Sequence, residues 1–418
     1  MTPKDFLDDF VGTSLWSTLP AKHRFKYTKE PNTGMKESHR VALTIKGVID
    51  RSLDDNEGLQ SSDYGSYQIF EPGDLAFKLI DLQNIKTSRV GLVPRRGIMS
   101  PAYIRLVPTS GVVVSKFYYW YFYAAYIGNI FNGLGGGIRQ NLSQTELLNF
   151  PVPDLPQDDQ NEIADYLDCE TARIDGLIVQ KTRFIAVLDD KEKAMIAHFV
   201  RRGIDPNAPT KNSGIEWRGN VPVHWQRARM KNHFKQVKRQ GFDDLTVLSV
   251  YREFGVIEKA SRTDNINKTP EDLSKYQLVE PDDLAINKMK AWQGSMGVST
   301  LLGITSPDYV VMKPIGEHNP RYMHHYLRAR PMPWVYRLIS NGIRTDQWRM
   351  EPEKFLELPI FLPPTDEQEA IANRIDCELE RIRGLIEKTE RSIALLKEKR
   401  AALITAAVTG KVDVRGAA

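Results

Sequence analysis

PVPDLPQDDQNEIADYLDCETARIDGLIVQKTRFIAVLDDKEKAMI begins at Pro151 and aligns without a gap on PIFLPPTDEQEAIANRIDCELERIRGLIEKTERSIALLKEKRAALI, which begins at Pro359. The identical pairs include Gln160 with Gln368, Asp168-Cys169-Glu170 with Asp376-Cys377-Glu378, Arg173-Ile174 with Arg381-Ile382, and Gly176-Leu177-Ile178 with Gly384-Leu385-Ile386. A gap-free match of this length indicates an internal duplication, which organises the rest of the chain.

Both copies carry apolar residues in alternating steps of four and three, the spacing of the seam of a left-handed coiled coil. In the second copy the seam runs through Ile371, Ile375, Leu379, Ile382, Ile386, Thr389, Ile393, Leu396, Arg400, Leu403 and Ala407. In the first it runs through Ile163, Leu167, Ile174, Ile178, Ile185, Leu188, Met195 and Phe199. Thr365 and Gln368 predict a capping box, and Gly203 and Gly410 predict helix ends. We expect two helices of roughly 40 residues, about 60 Å each.

Each helix has an apolar stripe, so we expect the two helices to pair with each other. Because a globular block precedes each helix, antiparallel pairing would place the two blocks at opposite ends of a rod with approximate two-fold symmetry. Cys169 and Cys377 lie near the starts of their own helices. The same pairing would therefore keep them apart, and no disulfide is expected.

The globular blocks also correspond to each other, in patches. The matching strings are YQIFEPGDLA from Tyr67 with YQLVEPDDLA from Tyr276, GIMSPAY from Gly97 with GITSPDY from Gly303, and Gly137-Ile138-Arg139 with Gly342-Ile343-Arg344. Runs rich in β-branched residues at 40–49, 245–251 and 308–314 predict strands, and the aromatic run 116–131 predicts a buried helix. The fold class is therefore α/β (α+β), with two tandem domains separated by two long helices that form an antiparallel intramolecular coiled coil.

The predicted boundaries follow the repeat. Residues 1–150 and 211–358 form the two globular domains, and 151–210 and 359–418 form the central and C-terminal helical spacers, with a linker at 203–214. The net charge is only +4, but residues 1–150 hold 17 basic and 14 acidic residues, and 211–358 hold 23 and 17. This positive charge favours contact of the two domains with phosphates.

Several classes of protein are disfavoured by what the sequence lacks. Two cysteines are too few for a disulfide framework or a zinc ribbon, which favours a reducing, cytoplasmic setting. The acidic N-terminus does not resemble a secretory signal, and the run 116–131 is too short and too rich in tyrosine to span a membrane.

Motifs for catalysis are also missing. SPAY at Ser100 and SPDY at Ser306 lack the Asn or Asp and the second Pro of an amino-methyltransferase tetrapeptide. The glycines from Gly133 have no following Lys-Ser or Lys-Thr, and His324 and His325 lack HExxH spacing. The residues after Pro281-Asp282 show no nuclease signature. We therefore expect no catalytic residue and no metal ligand in this chain.

The duplicated Pro-rich entry, the helix starts and the paired EPxDLA and GIxSPxY strings resemble the specificity subunits of type I restriction-modification systems, the HsdS family. The resemblance covers essentially the entire chain. It implies that each globular block is a target recognition domain that reads one half of an interrupted, asymmetric sequence in double-stranded DNA.

The resemblance also implies the partners. Two methyltransferase subunits would dock on the helices, and two restriction and translocation subunits would join the larger complex. S-adenosylmethionine, ATP and magnesium are expected on those partners, so this chain is expected to bind no cofactor itself.

Base edges are read by Arg, Lys, Asn and Gln side chains, whereas contacts with phosphates only set position. The first candidates follow the shared Gly-Ile-Arg: Arg139, Gln140 and Asn141 in the first domain, and Arg344, Thr345, Gln347 and Trp348 in the second. The others follow the EPxDLA strand: Lys78, Asn84, Lys86 and Arg89, and then Asn287, Lys288, Lys290, Trp292 and Gln293. For each residue a solvated loop charge is the alternative.

A different class of function is a coiled-coil scaffold whose globular ends bind proteins. That function predicts no salt-dependent affinity for DNA, whereas neutralised phosphates give a steep decline of affinity with salt. The sequence leaves open which bases are read, and whether a restriction partner accompanies the methyltransferase.

Overall fold

The computed structural model describes residues 10–12, 14–45, 47–52, 64–80, 82, 89–134, 141–262, 269–342 and 348–416. The chain folds into two compact units. Unit 1 comprises residues 1–182 and 390–418, and unit 2 comprises residues 183–389. Each unit contains one predicted globular domain together with a segment of each long helix.

Short strands form the sheets of unit 1. They are β1 (Thr18–Pro20), β2 (Phe25–Tyr27), β3 (Arg40–Thr44), β4 (Gly47–Arg51), β5 (Gln68–Phe70), β6 (Leu75–Phe77), β7 (Val90–Leu92), β8 (Gly97–Met99), β9 (Ile104–Pro108) and β10 (Pro151–Pro153). One antiparallel sheet has the order β2-β9-β6-β7, a second has the order β4-β3-β8-β5, and β1 pairs with β10. In the second sheet β3 and β8 are parallel.

The sheets of unit 2 follow the same plan. Its strands are β11 (Thr210–Asn212), β12 (Asn220–Pro222), β13 (Gln226–Arg229), β14 (Phe234–Val237), β15 (Leu248–Tyr251), β16 (Gly255–Glu258), β17 (Gln277–Val279), β18 (Leu284–Asn287), β19 (Met296–Val298), β20 (Gly303–Thr305), β21 (Tyr309–Pro314), β22 (Ser340–Asn341), β23 (Arg349–Met350) and β24 (Pro359–Leu362). The order β14-β21-β18-β19 repeats that of β2-β9-β6-β7, and the pair β13-β24 repeats β1-β10. The duplication seen in the sequence is therefore a duplication of topology.

Helices complete both units. They are α1 (Ser115–Ile127), α2 (Ile130–Leu134), α3 (Gln144–Leu148), α4 (Gln157–Arg202), α5 (Pro320–Arg328), α6 (Met332–Leu338), α7 (Pro352–Leu356) and α8 (Thr365–Val408). The predicted aromatic helix is confirmed as α1, whose Phe117, Tyr118, Tyr121 and Phe122 are fully buried. Among the described residues no helix combines the length and apolar character needed to cross a membrane.

The two long helices, α4 and α8, pack antiparallel in each unit, as predicted. In unit 1 the start of α4 and the end of α8 share one core, which includes Ile163, Leu167 and Ile404, and Arg400 pairs with Asp175 at 2.9 Å. In unit 2 the end of α4 and the start of α8 share another core, which includes Val200 with Ile371, Ile375 and Leu379. Cys169 and Cys377 are free and exposed.

Both predicted helix ends are confirmed. Gly203 and Gly410 follow the last residues of α4 and α8 at φ +76°, the left-handed conformation that ends helices at glycine. The predicted strand 40–49 is instead the hairpin β3-β4. Gly47, at φ +94°, lets the chain reverse there.

The predicted capping box at Thr365 is wrong, because the Gln368 carboxamide is used elsewhere. Its Oε1 accepts from the Asn319 N–H (2.8 Å) and its Nε2 donates to the Pro363 carbonyl (2.9 Å). Gln160 does the same in unit 1, with the Val114 N–H (2.9 Å) and the Leu155 carbonyl (2.8 Å). Each buried glutamine thus ties the start of a long helix to the residue that precedes α1 or α5.

The repeated aspartates make a second tie between the same elements. Asp168 accepts from Trp120 Nε1 and pairs with Lys116, both at 2.9 Å, and this bond raises the pKa of Lys116. Asp376 takes the same position in unit 2 with His325 (2.9 Å) and Arg321 (2.8 Å). The bond from His325 lowers the pKa of the Asp376 carboxyl.

The turns in the EPxDLA strings predict a stability change. Gly73 (φ +89°) and Asp282 (φ +70°) occupy corresponding left-handed positions, and a side chain there costs about 1 kcal/mol. We expect Asp282→Gly to raise the free energy of unfolding by about 0.5 to 1 kcal/mol, measured by urea denaturation. Gly73→Asp is the matched reverse substitution. Since a Cβ there meets no atom within 4 Å, any loss of stability in this variant comes from the left-handed backbone and not from a clash. A loss of stability in Asp282→Gly would contradict this account.

Candidate nucleic-acid interface

Two loops in each domain carry the predicted DNA-contacting residues. We call residues 78–89 and 287–295 the EPxDLA loops, because each follows the strand that contains that string. Residues 137–141 and 342–348 are the GIR loops. A buried aspartate sets the turn before each EPxDLA loop: Asp74 accepts from the Glu71 N–H at 2.7 Å, and Asp283 accepts from the Glu280 N–H at 2.8 Å.

In each domain one backbone hydrogen bond ties the EPxDLA loop to a residue that lies just after the GIR loop. In the first domain the Leu142 N–H donates to the Leu79 carbonyl at 2.9 Å, and in the second the Met350 N–H donates to the Lys288 carbonyl at 3.0 Å. Segments distant in sequence are therefore brought together by the same hydrogen bond in both domains.

The structure describes nine of the sixteen candidate residues. Asn84, Lys86, Arg139, Gln140, Arg344, Thr345 and Gln347 lie outside the described residues. Among the others, Asn141, Lys290 and Gln293 are exposed, and Lys78, Asn287, Lys288, Trp292 and Trp348 are partly exposed. Whether any of them contacts a base stays a prediction.

Arg89 differs from the other candidates because it is only 1% exposed. Its guanidinium donates to the Ile80 carbonyl at 3.4 Å, and its own carbonyl accepts from the Lys78 N–H at 3.0 Å. These contacts close the two ends of the EPxDLA loop against each other. They favour a role for Arg89 in holding the loop rather than in touching bases.

The second domain presents an aromatic and basic surface, defined by Lys288, Lys290, Trp292, Trp334, Arg337, Trp348 and Arg349. The rings of Trp292 and Trp348 meet edge to face at 5.7 Å. The Arg337 guanidinium lies 4.9 Å from the Trp348 ring and 5.9 Å from the Trp334 ring. Residues from both loops and from α6 are thus joined in one row of three rings and one guanidinium, in the order Trp334, Arg337, Trp348 and Trp292.

The cations of this surface are available to a ligand. In the part of the chain that the structure describes, Lys288, Lys290, Arg337 and Arg349 form no ion pair with a carboxylate. Arg349 is held through its Nε by the Met289 sulfur at 3.0 Å. Unpaired cations interleaved with aromatic rings are typical of surfaces that bind nucleic acid.

A cavity of about 960 Å³ opens beside the EPxDLA loop of the second domain. Asn287, Lys290 and Gln293 line it together with Tyr251 and Tyr309. Its other charged residues are mixed, since Lys259 and Lys275 stand beside Glu253, Asp272 and Asp308. The described ranges contain no group of three or more His, Cys, Asp or Glu side chains placed to hold a metal ion.

Sequence reasoning missed Trp334, Arg337 and Arg349. All three are exposed, but none lies in the two segments first chosen, and the row forms only when residues 292, 334 and 348 come together. The signal in the sequence was MPWVYRL, in which buried Met332, Val335 and Tyr336 alternate with exposed Trp334, Arg337 and Leu338 on one short helix.

No protein-family model matches the sequence, and no curated protein matches it. Solved structures do match. The HsdS subunit from Thermoanaerobacter tengcongensis is 14% identical with a TM-score of 0.54, and the match covers 95% of this chain and 97% of that one.

A second match is a chain from a structural study of complex assembly and conformational transition in the type I R-M system. It is 14% identical with a TM-score of 0.68, covering 95% of this chain and 98% of that one. The resemblance predicted from the repeat is therefore confirmed at the level of the fold. The chain has the fold of type I specificity subunits: two mixed α and β domains with two long antiparallel helices.

Proposed function

We propose that this chain is the non-catalytic DNA-specificity subunit of a type I restriction-modification complex. The observation that carries the proposal is the aromatic and basic surface of the second domain, together with the hydrogen bond beside the EPxDLA loop that recurs in both domains. In the second domain the EPxDLA and GIR loops present unpaired cations and aromatic rings. Because the fold and this hydrogen bond are duplicated, the proposal assigns each domain one surface for the grooves of a duplex.

The two surfaces differ in sequence, which supports an asymmetric target with two unlike halves. The loops of the second domain contain Trp292 and Trp348, whereas residues 78–89 and 137–141 of the first domain contain no tryptophan. The buried ties from Gln160 and Gln368, by contrast, are the same in both units. A shared framework with different loops suits two domains that recognise different DNA sequences.

The proposed partners follow from the fold and its relatives. We propose that methyltransferase subunits bind this chain and, where the system also restricts DNA, that translocase subunits join them. S-adenosylmethionine, ATP and magnesium would then be bound by those subunits. In this proposal the partner subunits carry out the reactions on DNA, and this chain selects the DNA sequence.

Mapping methylated adenines in cells that carry this chain with its methyltransferase tests the proposal. We expect modification at one motif made of two unlike half-sites with a fixed spacer, and no such motif in cells with the methyltransferase alone. A swap of residues 211–358 for those of another specificity subunit should change one half-site only. Absence of adenine methylation that depends on this chain, or a single undivided motif, would contradict the proposal.

A further inference from the structure

Two large apolar side chains stand out from α6 beside the aromatic and basic surface. Trp334 is 67% exposed and Leu338 is 77% exposed. They are four residues apart and therefore lie on the same face of the helix, one turn apart. Between them in sequence, Arg337 bridges the Trp334 and Trp348 rings.

The helix that carries them is firmly anchored. Met332, Val335 and Tyr336 on its other face are 3%, 2% and 0% exposed. The Tyr336 hydroxyl donates to the Leu327 carbonyl at 2.7 Å, and the Ser340 hydroxyl donates to the Tyr336 carbonyl at 2.7 Å. Trp334 and Leu338 are thus exposed on a fixed support rather than on a loose segment.

We propose that Trp334 and Leu338 form an apolar wedge that enters between base pairs of the DNA at the half-site read by the second domain. The inference rests on the proposed function and adds the mode of contact. Partial unstacking of a base step by an apolar side chain costs free energy, which the added contact between protein and bent DNA offsets. The unpaired cations next to the wedge supply the attraction for the adjoining phosphates.

The surrounding charge favours DNA over a protein partner as the occupant. Arg337 contacts the Trp334 ring, and Lys288, Lys290 and Arg349 belong to the same aromatic and basic surface. Glu351, which lies between β23 and α7, is already bound to Lys354 at 3.0 Å. A surface with excess positive charge beside flat rings matches stacked bases flanked by phosphates.

The wedge belongs to one domain only. Val114 and Lys116 before and in α1 match Asn319 and Arg321 by their contacts with the long helices. The same shift places Asn129 and Gly133 at the positions of Trp334 and Leu338. The DNA is therefore distorted at one half-site and not at the other.

Permanganate footprinting tests the wedge, because permanganate oxidises thymines that have lost stacking. The complex of the full chain with its methyltransferase is bound to a 40-base-pair duplex that carries the mapped motif. We expect reactive thymines in the second-domain half-site for the natural chain and none for Trp334→Ala with Leu338→Ala. The same double variant should lower affinity about 10- to 100-fold, and Trp334→Phe should keep most of both signals.

Ile315→Ala is the matched control. Ile315 is 56% exposed in the same domain, but it lies beside His233 at the far end of β21, so footprint and affinity should not change. Unchanged affinity in the wedge variant, with the footprint kept, overturns the inference while the proposed function stands. Loss of methyltransferase binding instead of DNA binding also overturns it, since the face then serves a protein. Failure of the natural complex to bind the duplex overturns the proposed function as well.

Discussion

Replacement of Asp74 by alanine is expected to lower the free energy of unfolding of the first domain by about 3 to 5 kcal/mol. Asp74 pairs with Arg105, and the two side chains are only 3% and 6% exposed. Without the Asp74 carboxylate, Arg105 keeps the Ile69 carbonyl at 2.8 Å and one carboxylate, that of Glu30, at 3.3 Å. Because the Glu30 side chain is 51% exposed, it compensates the buried guanidinium less well than the buried Asp74 does.

Burial raises the pKa of Asp74 even though Arg105 lies beside it. The attraction to Arg105 therefore does not fully offset the cost of removing the Asp74 carboxylate from water. We therefore expect the loss in Asp74→Ala to come mainly from the buried Arg105 guanidinium that remains with fewer partners, rather than from a strong bond. Asp74→Ala combined with Arg105→Met should then recover much of the lost stability.

Amide hydrogen exchange measures the free energy of unfolding of each domain separately. The 64–77 segment reports on the first domain, and the 277–287 segment reports on the second. Glu71→Ala is the matched control, because Glu71 is 38% exposed and should change stability by less than about 1 kcal/mol. Asp283→Ala should have a smaller effect than Asp74→Ala, since its partner Arg239 is 22% exposed whereas Arg105 is 6% exposed. An effect of Asp74→Ala below that of Glu71→Ala would refute the account.

The long helices were predictable because the heptad spacing is a local pattern and occurs in both copies of the repeat. Seam residues such as Ile163, Ile174, Ile371 and Ile382 are buried as the heptad spacing requires. The capping box was not predictable from spacing alone. The backbone N–H of Thr365 lies near Gln368 in sequence, as a capping box requires. Because the Gln368 side chain is buried, however, the tertiary hydrogen bond with the Asn319 N–H is the more stable arrangement.

The site was predicted only in part for a related reason. The EPxDLA and GIR loops could be chosen because the repeat marks where the two domains diverge. Their contact through Met350 and Lys288, and the recruitment of Trp334 and Arg337 from α6, depend on tertiary packing that no local pattern encodes. Arg89 differs from the other candidates, since burial of its side chain favours a role in holding the loop, while its contact with DNA stays a prediction.

Removal of the three cations Lys288, Lys290 and Arg349 is expected to have the largest effect on DNA binding. Each is unpaired within the described residues, and if each neutralises one phosphate, the slope of log affinity against log salt should fall by about 2.7. At 150 mM salt the loss of affinity should be on the order of 100-fold. Fluorescence anisotropy with the mapped duplex between 50 and 200 mM KCl measures both quantities for the methyltransferase-bound chain.

The control for this charge removal is Arg229→Ala with Lys231→Ala. Both cations belong to the same domain but are bound to Glu357, Lys231 at 2.7 Å, so their loss removes no free charge and the slope should stay within about one unit of the natural value. Because the three cations lie in the second domain, the triple variant should weaken discrimination of only one half-site. If the triple variant, like the control, left the salt slope and the affinity unchanged, the aromatic and basic surface would not face DNA. The scaffold function, in which the globular ends bind proteins, would then be favoured instead.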